Sequence, residues 1–378
     1  MNNIILLFAA KFFRNLDFFS PVVLLYYSNV AGLSTSQFLY LQGLFSLFVF
    51  LLEVPTGVIA DKYSRKLSLL FSSLMILIGF FVLYKARNFF GVLLAEFFIA
   101  TSIALCSGAF ESLFYDSHKK VMPSYNKNLA MFSNLGLIAI LVATLSGAFF
   151  ADYFGLENIY LICMVPAFLA FICFLFLKEV NCKSESEVDR NFSVLGAVKK
   201  VLESNRRLRF LALDLALIPA IAFMGIWLYQ PFLQSFSASY YAFGILHACM
   251  ILSQVFINFV LPRFKKAVHF YIKSSQIFIT LMFLVLAISN NIWIGSTALV
   301  LIVGVGMTRN TFLNKEINSH IESSFRSTFF SAVSMLNHLL RMLLTFIVGL
   351  LINHSFGFVV IVLCVLTFVS YLFFRKFE

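Results

Sequence analysis

The stretch Leu67-Ser-Leu-Leu-Phe-Ser-Ser-Leu-Met-Ile-Leu-Ile-Gly-Phe-Phe-Val-Leu-Tyr84 contains no charged side chain and stops at Lys85. It approaches the ~20 residues that an α-helix needs to cross a hydrocarbon layer ~30 Å thick. Phe358 to Phe374 is a second run of the same kind. Hydrocarbon offers backbone groups no water, so only helices or closed barrels satisfy them internally. Barrel strands alternate apolar and polar positions over ~10 residues, and these runs do not, so helices are predicted. The composition points the same way. Charged residues are 12% of 378 and hydrophobic ones 61%, with 49 Phe and a mean hydropathy of +0.93. A soluble domain carries about 25% charged residues. A soluble enzyme is therefore excluded, and so is a disordered chain, which cannot keep this much apolar surface hydrated.

Dividing the apolar runs at polar and turn-forming clusters predicts twelve spans, at about 4–29, 36–60, 66–86, 89–115, 127–151, 156–178, 207–232, 238–263, 268–288, 291–314, 327–352 and 355–375. The expected fold is an all-α membrane protein of twelve transmembrane helices in two pseudo-symmetric six-helix bundles, 1–178 and 207–378. Between them, 179–206 reads as a cytoplasmic linker with a short helical pattern at Val194 to Leu202. The first span continues past Lys11, Arg14 and Asp17 to Tyr27. A secretory signal has an apolar core of only about 7–15 residues, so the segment is read as a helix. Six Cys lie mostly inside spans without metal-ligand spacing, which favours packed thiols.

Positively charged loops stay cytoplasmic. Lys62, Arg65 and Lys66 follow span 2, Lys119, Lys120 and Lys127 follow span 4, and Arg206, Arg207 and Arg209 precede span 7. Arg263, Lys265 and Lys266, then Lys315 and Arg326, then Arg375 and Lys376 fall on the same side. The alternate loops carry no Lys or Arg apart from Lys85 and Arg87. Both termini are thus expected in the cytoplasm and the chain in the inner membrane. The net charge of +11 is this topology signal, so no nucleic-acid partner is expected. The halves also repeat: Gly147, Phe154 and Gly155 precede Gly349, Phe356 and Gly357 by 202 residues each. Two six-span repeats form a transporter architecture that binds substrate near the midplane.

Between spans 2 and 3 the chain reads Gly57-Val-Ile-Ala-Asp61-Lys62-Tyr-Ser64-Arg65-Lys66. This resembles the loop signature of the major facilitator superfamily, G-x-x-x-D-[RK]-x-[GS]-R-[RK]. Glu53-Val-Pro55-Thr56-Gly57 and Ser107-Gly108-Ala109-Phe110-Glu111, followed by Tyr115-Asp116, are similar to a bacterial branch of efflux-permease-like members. Three departures stand out: Glu96 in span 4 where the family has a basic residue, Ser146-Gly147-Ala148 without the proline of drug antiporters, and Pro262 in place of the second-half aspartate. The resemblance implies a gating role for Gly57, Asp61, Lys62, Arg65 and Lys66. Asp61 would pair with Arg65 and with a helix N-terminus to latch one state; the alternative is that the basic residues only set topology.

A charge near the bilayer centre costs at least ~2.5–3.5 kcal/mol, so each intramembrane ionisable group is a functional candidate. At ~1.5 Å per residue, Arg14, Asp17 and Glu96 lie about 15, 20 and 21 Å deep. They are expected to form one cluster, in which two carboxylates near one arginine cannot all be ionised cheaply. Asp17 and Glu96 are therefore read as proton-coupling groups, with Glu53, about 12 Å deep beside Pro55, as a third. The competing reading is that Arg14 and Asp17, three apart on one helix, neutralise each other. The second half is mainly basic, with His247, Arg309, His338 and Arg341 against Asp214. His338 and Arg341 lie about 16 and 21 Å deep, and an arginine fork suits carboxylate or phosphate. Arg14, Arg341, His338, Arg309 and His247 are accordingly the expected substrate ligands.

No phosphate loop, His-Glu-x-x-His or Cys-pair metal site is present, so neither an enzyme nor a cofactor is expected. The sequence reads as a monomeric secondary transporter in the bilayer that couples protons to export of a small organic, anionic or zwitterionic solute by alternating access. Proton-symport uptake of a siderophore or metabolite is the alternative within transport. A non-transporting receptor or scaffold is the alternative outside it.

Overall fold

The computed structural model describes residues 3–62, 64–107, 109–118, 125–179, 206–318 and 323–374, and every regular element among them is helical. In chain order these are α1 (Asn3–Arg14), a 3₁₀ turn (Ser20–Val22), α2 (Val23–Asn29), α3 (Thr35–Lys62), α4 (Arg65–Lys85), α5 (Phe89–Cys106), α6 (Ala109–His118), α7 (Tyr125–Phe154) and α8 (Ile159–Leu175). There follow α9 (Arg206–Ser235), α10 (Tyr240–Val260), α11 (Lys265–Ile288), α12 (Ile292–Asn318), α13 (Ser323–Leu351) and α14 (Phe356–Phe374). Eleven described helices are long and apolar enough to cross a membrane. Their surface is that of a molecule solvated by lipid: Phe256, Phe259 and Phe270 stay 65%, 63% and 73% exposed.

Backbone contacts group the chain into two units, one of Met1–Gln37 and Leu44–Glu187, the other of Phe38–Gly43 and Val188–Glu378. Apart from Glu179 and Arg206, the expected linker and its helical pattern lie outside the described residues.

In the first unit, α4 starts where the Ser64 side chain accepts the Leu67 N–H at 3.0 Å, satisfying one of the orphan donors of the first turn. Its small residues then hold it against α5. Ser68 Oγ donates to Leu105 O at 2.6 Å and Ser72 Oγ to Ser102 O at 2.7 Å. At Gly79 a Cβ would come within 2.6 Å of the Ile99 side chain. Lipid tails are as apolar as leucine, so close backbone approach and interhelical hydrogen bonds have to hold such helices together. A second core, built from Leu6, Leu7, Ala10, Phe110, Phe114, Phe132 and Phe174, packs α1 against its neighbours.

The first span is not the continuous helix expected over 4–29. It breaks after Arg14 and resumes at Ser20. Pro21 fits the break: it lies in the first turn of the resumed helix, where a missing N–H is tolerated, and it has no N–H to offer the Asp17 carbonyl that a continuous helix would present to it. Asn15 reinforces the stop by donating its side-chain amide to Lys11 O at 2.6 Å. Span 4 is likewise split at Ser107, whose extended backbone ends α5 before α6 begins.

In the second unit, α9 packs on α12 and α13 while α11 packs on α12 and α14. Pro219 sits inside α9 and frees the Leu215 carbonyl, four residues earlier. Two asparagines from other helices meet this interruption: Asn310 Nδ2 donates to Leu215 O at 2.6 Å and Asn337 Nδ2 to Ala216 O at 2.7 Å. A proline in a membrane helix is tolerated when neighbouring side chains re-satisfy the freed carbonyls in this way.

Candidate functional site

The helix break determines how the first-half charges group. Since Arg14 ends α1 and Asp17 lies in the irregular segment, the two are not on one helix, and the competing reading that rested on that geometry falls. Arg14 Nη2 donates to Ser102 Oγ at 3.0 Å and to Ser102 O at 3.2 Å. Ser102 is six residues beyond Glu96 on α5, so Arg14 engages α5 about 9 Å away from Glu96 along the helix axis. The expected single cluster of Arg14, Asp17 and Glu96 is thus divided.

Glu96 is 5% exposed and accepts a hydrogen bond from the Tyr27 hydroxyl. Beside Tyr27, the Tyr26 hydroxyl donates to Leu83 O at 2.5 Å. Tyr160 on α8 completes the group, its ring 4.6 Å from that of Tyr26 and 5.2 Å from that of Phe19. Asp17 belongs here too. The backbone of Ser20 hydrogen-bonds its carboxylate, while Oδ1 is buried without a partner. Gly147 on α7 allows the chain to pass at this point, because a Cβ there would overlap the Phe18 carbonyl oxygen. Glu53 is separate: it hydrogen-bonds Ser107 at the α5–α6 break, and the neighbouring Thr56 donates to Leu52 O at 2.8 Å below Pro55.

At the N-terminal end of α4, Arg65 pairs with Asp116 of α6. Glu179 accepts from the Ser64 hydroxyl and, at 3.1 Å, from the Lys66 N–H, placing a carboxylate on the N-terminus of α4 where the helix dipole favours it. The backbone of Gly57, Asp61 and Lys62 forms the end of α3; their side chains, and with them the expected Asp61–Arg65 pairing, lie outside the described residues.

In the second unit Arg309 is 0% exposed, and its Nη2 meets Asp214 Oδ2 at 2.7 Å. Gln276 Nε2 donates to the other Asp214 oxygen at 2.5 Å. Arg309, expected among the substrate ligands, is therefore engaged inside the unit, although its Nε and Nη1 have no partner. His247 Nδ1 lies 3.3 Å from the Tyr229 hydroxyl, which also accepts from Gln230 Nε2 at 3.2 Å. Arg341 differs from Arg309. It is half-buried, its guanidinium lies over the Phe223 ring at 4.0 Å, and its Nε has no partner. His338 is half-buried within electrostatic range of it, and Phe223 meets Trp227 edge to face at 5.5 Å. Among the described residues no group of His, Cys, Asp and Glu has the arrangement of a metal site.

Sequence reading missed Tyr160, Ser102, Gln276, Asn310 and Asn337. Asn310 and Asn337 left a usable signal: an amide in a membrane helix needs partners, and Pro219 supplies carbonyls that need donors.

A profile of the Major Facilitator Superfamily matches residues 4–345, and the chain belongs to this superfamily. It is a multi-pass membrane transporter with that fold. The nucleoside transporter NupG, in the crystal structure of a point mutant, superposes with a TM-score of 0.85 at 14% identity, covering 100% of both chains. A POT family transporter in complex with 5-aminolevulinic acid gives 0.78 at 13% identity, covering 99% of this chain and 96% of that one. An uncharacterized transporter of Buchnera aphidicola subsp. Acyrthosiphon pisum is 23% identical over 163 residues, which span 43% of this chain and 40% of that protein.

Proposed function

We propose that the chain couples proton movement to export of a small organic anion or zwitterion across the inner membrane by alternating access, as a monomer with both termini cytoplasmic. The observation that carries this reading is the division of chemistry between the two units. The first buries two carboxylates, Glu96 bonded to Tyr27 and Asp17 with one oxygen unpartnered. Those groups can take up and release protons without contacting substrate. The second presents Arg341, stacked on Phe223 with Nε unpartnered, as a forked donor for a carboxylate or phosphate, with His338 beside it. Arg14 and Arg309, held by Ser102 and Asp214, orient helices in this reading and do not meet substrate. Glu53 at the Ser107 break is a second proton carrier nearer the cytoplasm. The Arg65–Asp116 pair, with Glu179 on the α4 N-terminus, is the part of the latch that would break and re-form in each cycle.

The test is flux through proteoliposomes of a panel of carboxylated and cationic compounds, with and without an imposed pH gradient. Gradient-driven movement of carboxylated compounds against the proton flow is expected. Movement indifferent to the gradient for every compound would overturn the coupling. Symport uptake is the second reading, favoured by the missing span-5 proline beside Gly147; accumulation in the direction of proton flow would select it.

A further inference from the structure

Four buried polar side-chain atoms among the described residues of the first unit have no partner, and two of them, on Asp17 and Tyr160, are chemically complementary. Asp17 Oδ1 is an acceptor without a donor, and the Tyr160 hydroxyl is a donor without an acceptor. We infer that Tyr160 relays a proton between Glu96 and Asp17, making it a positioning and transfer residue of the coupling site. The inference rests on the proton coupling proposed above.

The first argument is the presence of the hydroxyl at all. Tyr160 is 0% exposed, and its ring is enclosed by Phe19, Tyr26 and Phe80 at 5.2, 4.6 and 6.0 Å. A phenylalanine would fill this space as well, and the chain uses 49 Phe against 14 Tyr. A buried hydroxyl that never finds a partner costs free energy without compensation. The two neighbouring tyrosines have theirs, Tyr26 on Leu83 O and Tyr27 on Glu96. Only Tyr160 of the three is open.

The second argument is location. Ring contacts set Tyr160 between the two carboxylates: it lies 5.2 Å from Phe19, two residues from Asp17, and 4.6 Å from Tyr26, the neighbour of the Tyr27 that bonds Glu96. Cys163, one turn further along α8, hydrogen-bonds the backbone of Phe18 and Phe19, which fixes Asp17 next to the Tyr160 helix. The other ionisable groups around the cluster are Tyr26 and Tyr27 on α2, Tyr84 on α4, Arg87, Glu157 and Cys163. Arg87 is committed to Tyr84 O and Ala86 O at 2.8 Å each and lies 3.5 Å from the Tyr26 hydroxyl, so it does not neutralise Asp17.

The step balances without a net change at the tyrosine. The Glu96 carboxyl gives its proton to the Tyr160 oxygen while the Tyr160 hydroxyl proton passes to Asp17 Oδ1, each transfer needing a side-chain rotation or one water, because the resting hydroxyl bonds neither carboxylate. Glu96 ends as carboxylate, Asp17 as acid and Tyr160 as neutral phenol.

Time-resolved infrared spectroscopy of the purified full-length chain in liposomes, after a flash-released proton pulse, tests this with protons as the only probe. The carboxyl bands are assigned by their loss in Asp17→Asn and Glu96→Gln. In Tyr160→Phe the Glu96 band should rise at the native rate, while its decay and the appearance of the Asp17 band should both slow at least tenfold. Equal Asp17 rates in native and Tyr160→Phe protein overturn the relay alone. If neither carboxyl variant removes a band that responds to protons, the coupling itself fails. Should Tyr160→Phe not fold, a fluorinated tyrosine placed at position 160 alone, which keeps the ring but makes the hydroxyl more acidic, decides: the rate of the Asp17 band must change, and a rate equal to native overturns the relay.

Discussion

Arg309→Met should destabilise the second unit by about 3–5 kcal/mol, the loss found when one partner of a buried ion pair is removed. The structure says why the cost falls in this range. Arg309 Nη2 and Asp214 Oδ2 are 2.7 Å apart with side chains 0% and 5% exposed, so removal leaves a carboxylate held only by Gln276. That carboxylate has one escape, protonation, which for an ordinary aspartic acid at neutral pH costs about 4 kcal/mol at ~1.4 kcal/mol per pH unit. The penalty should therefore shrink as pH falls, by up to ~1.4 kcal/mol per unit. Asp214→Asn should cost a similar amount without relief in acid, because the stranded guanidinium cannot shed its proton. Asp214→Leu with Arg309→Met should be more stable than either single variant, since an apolar pair of similar volume carries no desolvation penalty. Unfolding in detergent can be followed by tryptophan fluorescence: the chain has 2 Trp, Trp227 and Trp293, both in the second unit. An Arg309→Met variant within about 1 kcal/mol of native, or a double variant weaker than both singles, would refute the reasoning.

Gly147→Ala should cost about 1–3 kcal/mol or more, because its Cβ would overlap the Phe18 carbonyl oxygen where an ordinary contact needs 3.4 Å; thermal unfolding checks this, and a native midpoint would contradict it. Asn310→Ala should cost about 0.6–1.7 kcal/mol, the range for membrane hydrogen bonds. That cost should fall towards zero in a Pro219→Ala background, where residue 219 again has an N–H for Leu215 O. Arg341→Ala should abolish proteoliposome flux of carboxylated compounds and spare purely cationic ones, and equal loss of both would remove Arg341 from the substrate site. Asp61→Asn should shift the distance distribution between spin labels on the two halves, and an unchanged distribution would remove Asp61 from the latch.

Much of the fold was legible because it depends on quantities that run along the chain. The length of an apolar run is local, and eleven of the described helices are long and apolar enough to cross a membrane. The first span shows where that reasoning stops. Its mean hydropathy hides Pro21, and one proline changes which groups are neighbours: Arg14 moves to Ser102 and Asp17 to the Tyr160 cluster. Depth estimates at a fixed rise per residue assume a straight helix, and the Asn15–Phe19 segment is not one.

The sequence by itself determined the solvent, the helical class, the superfamily signature at Gly57–Lys66 and the short list of charges in the membrane. Each is fixed by residue type and spacing within about one helix length. Only the tertiary structure decided which of those charges are paired. Rotation about each helix axis selects the partner, and it separates Arg309, closed on Asp214, from Arg341, stacked on Phe223 with a donor to spare. Partners such as Gln276 and Tyr160 come from helices distant in sequence, and nothing along the chain says which group each will meet.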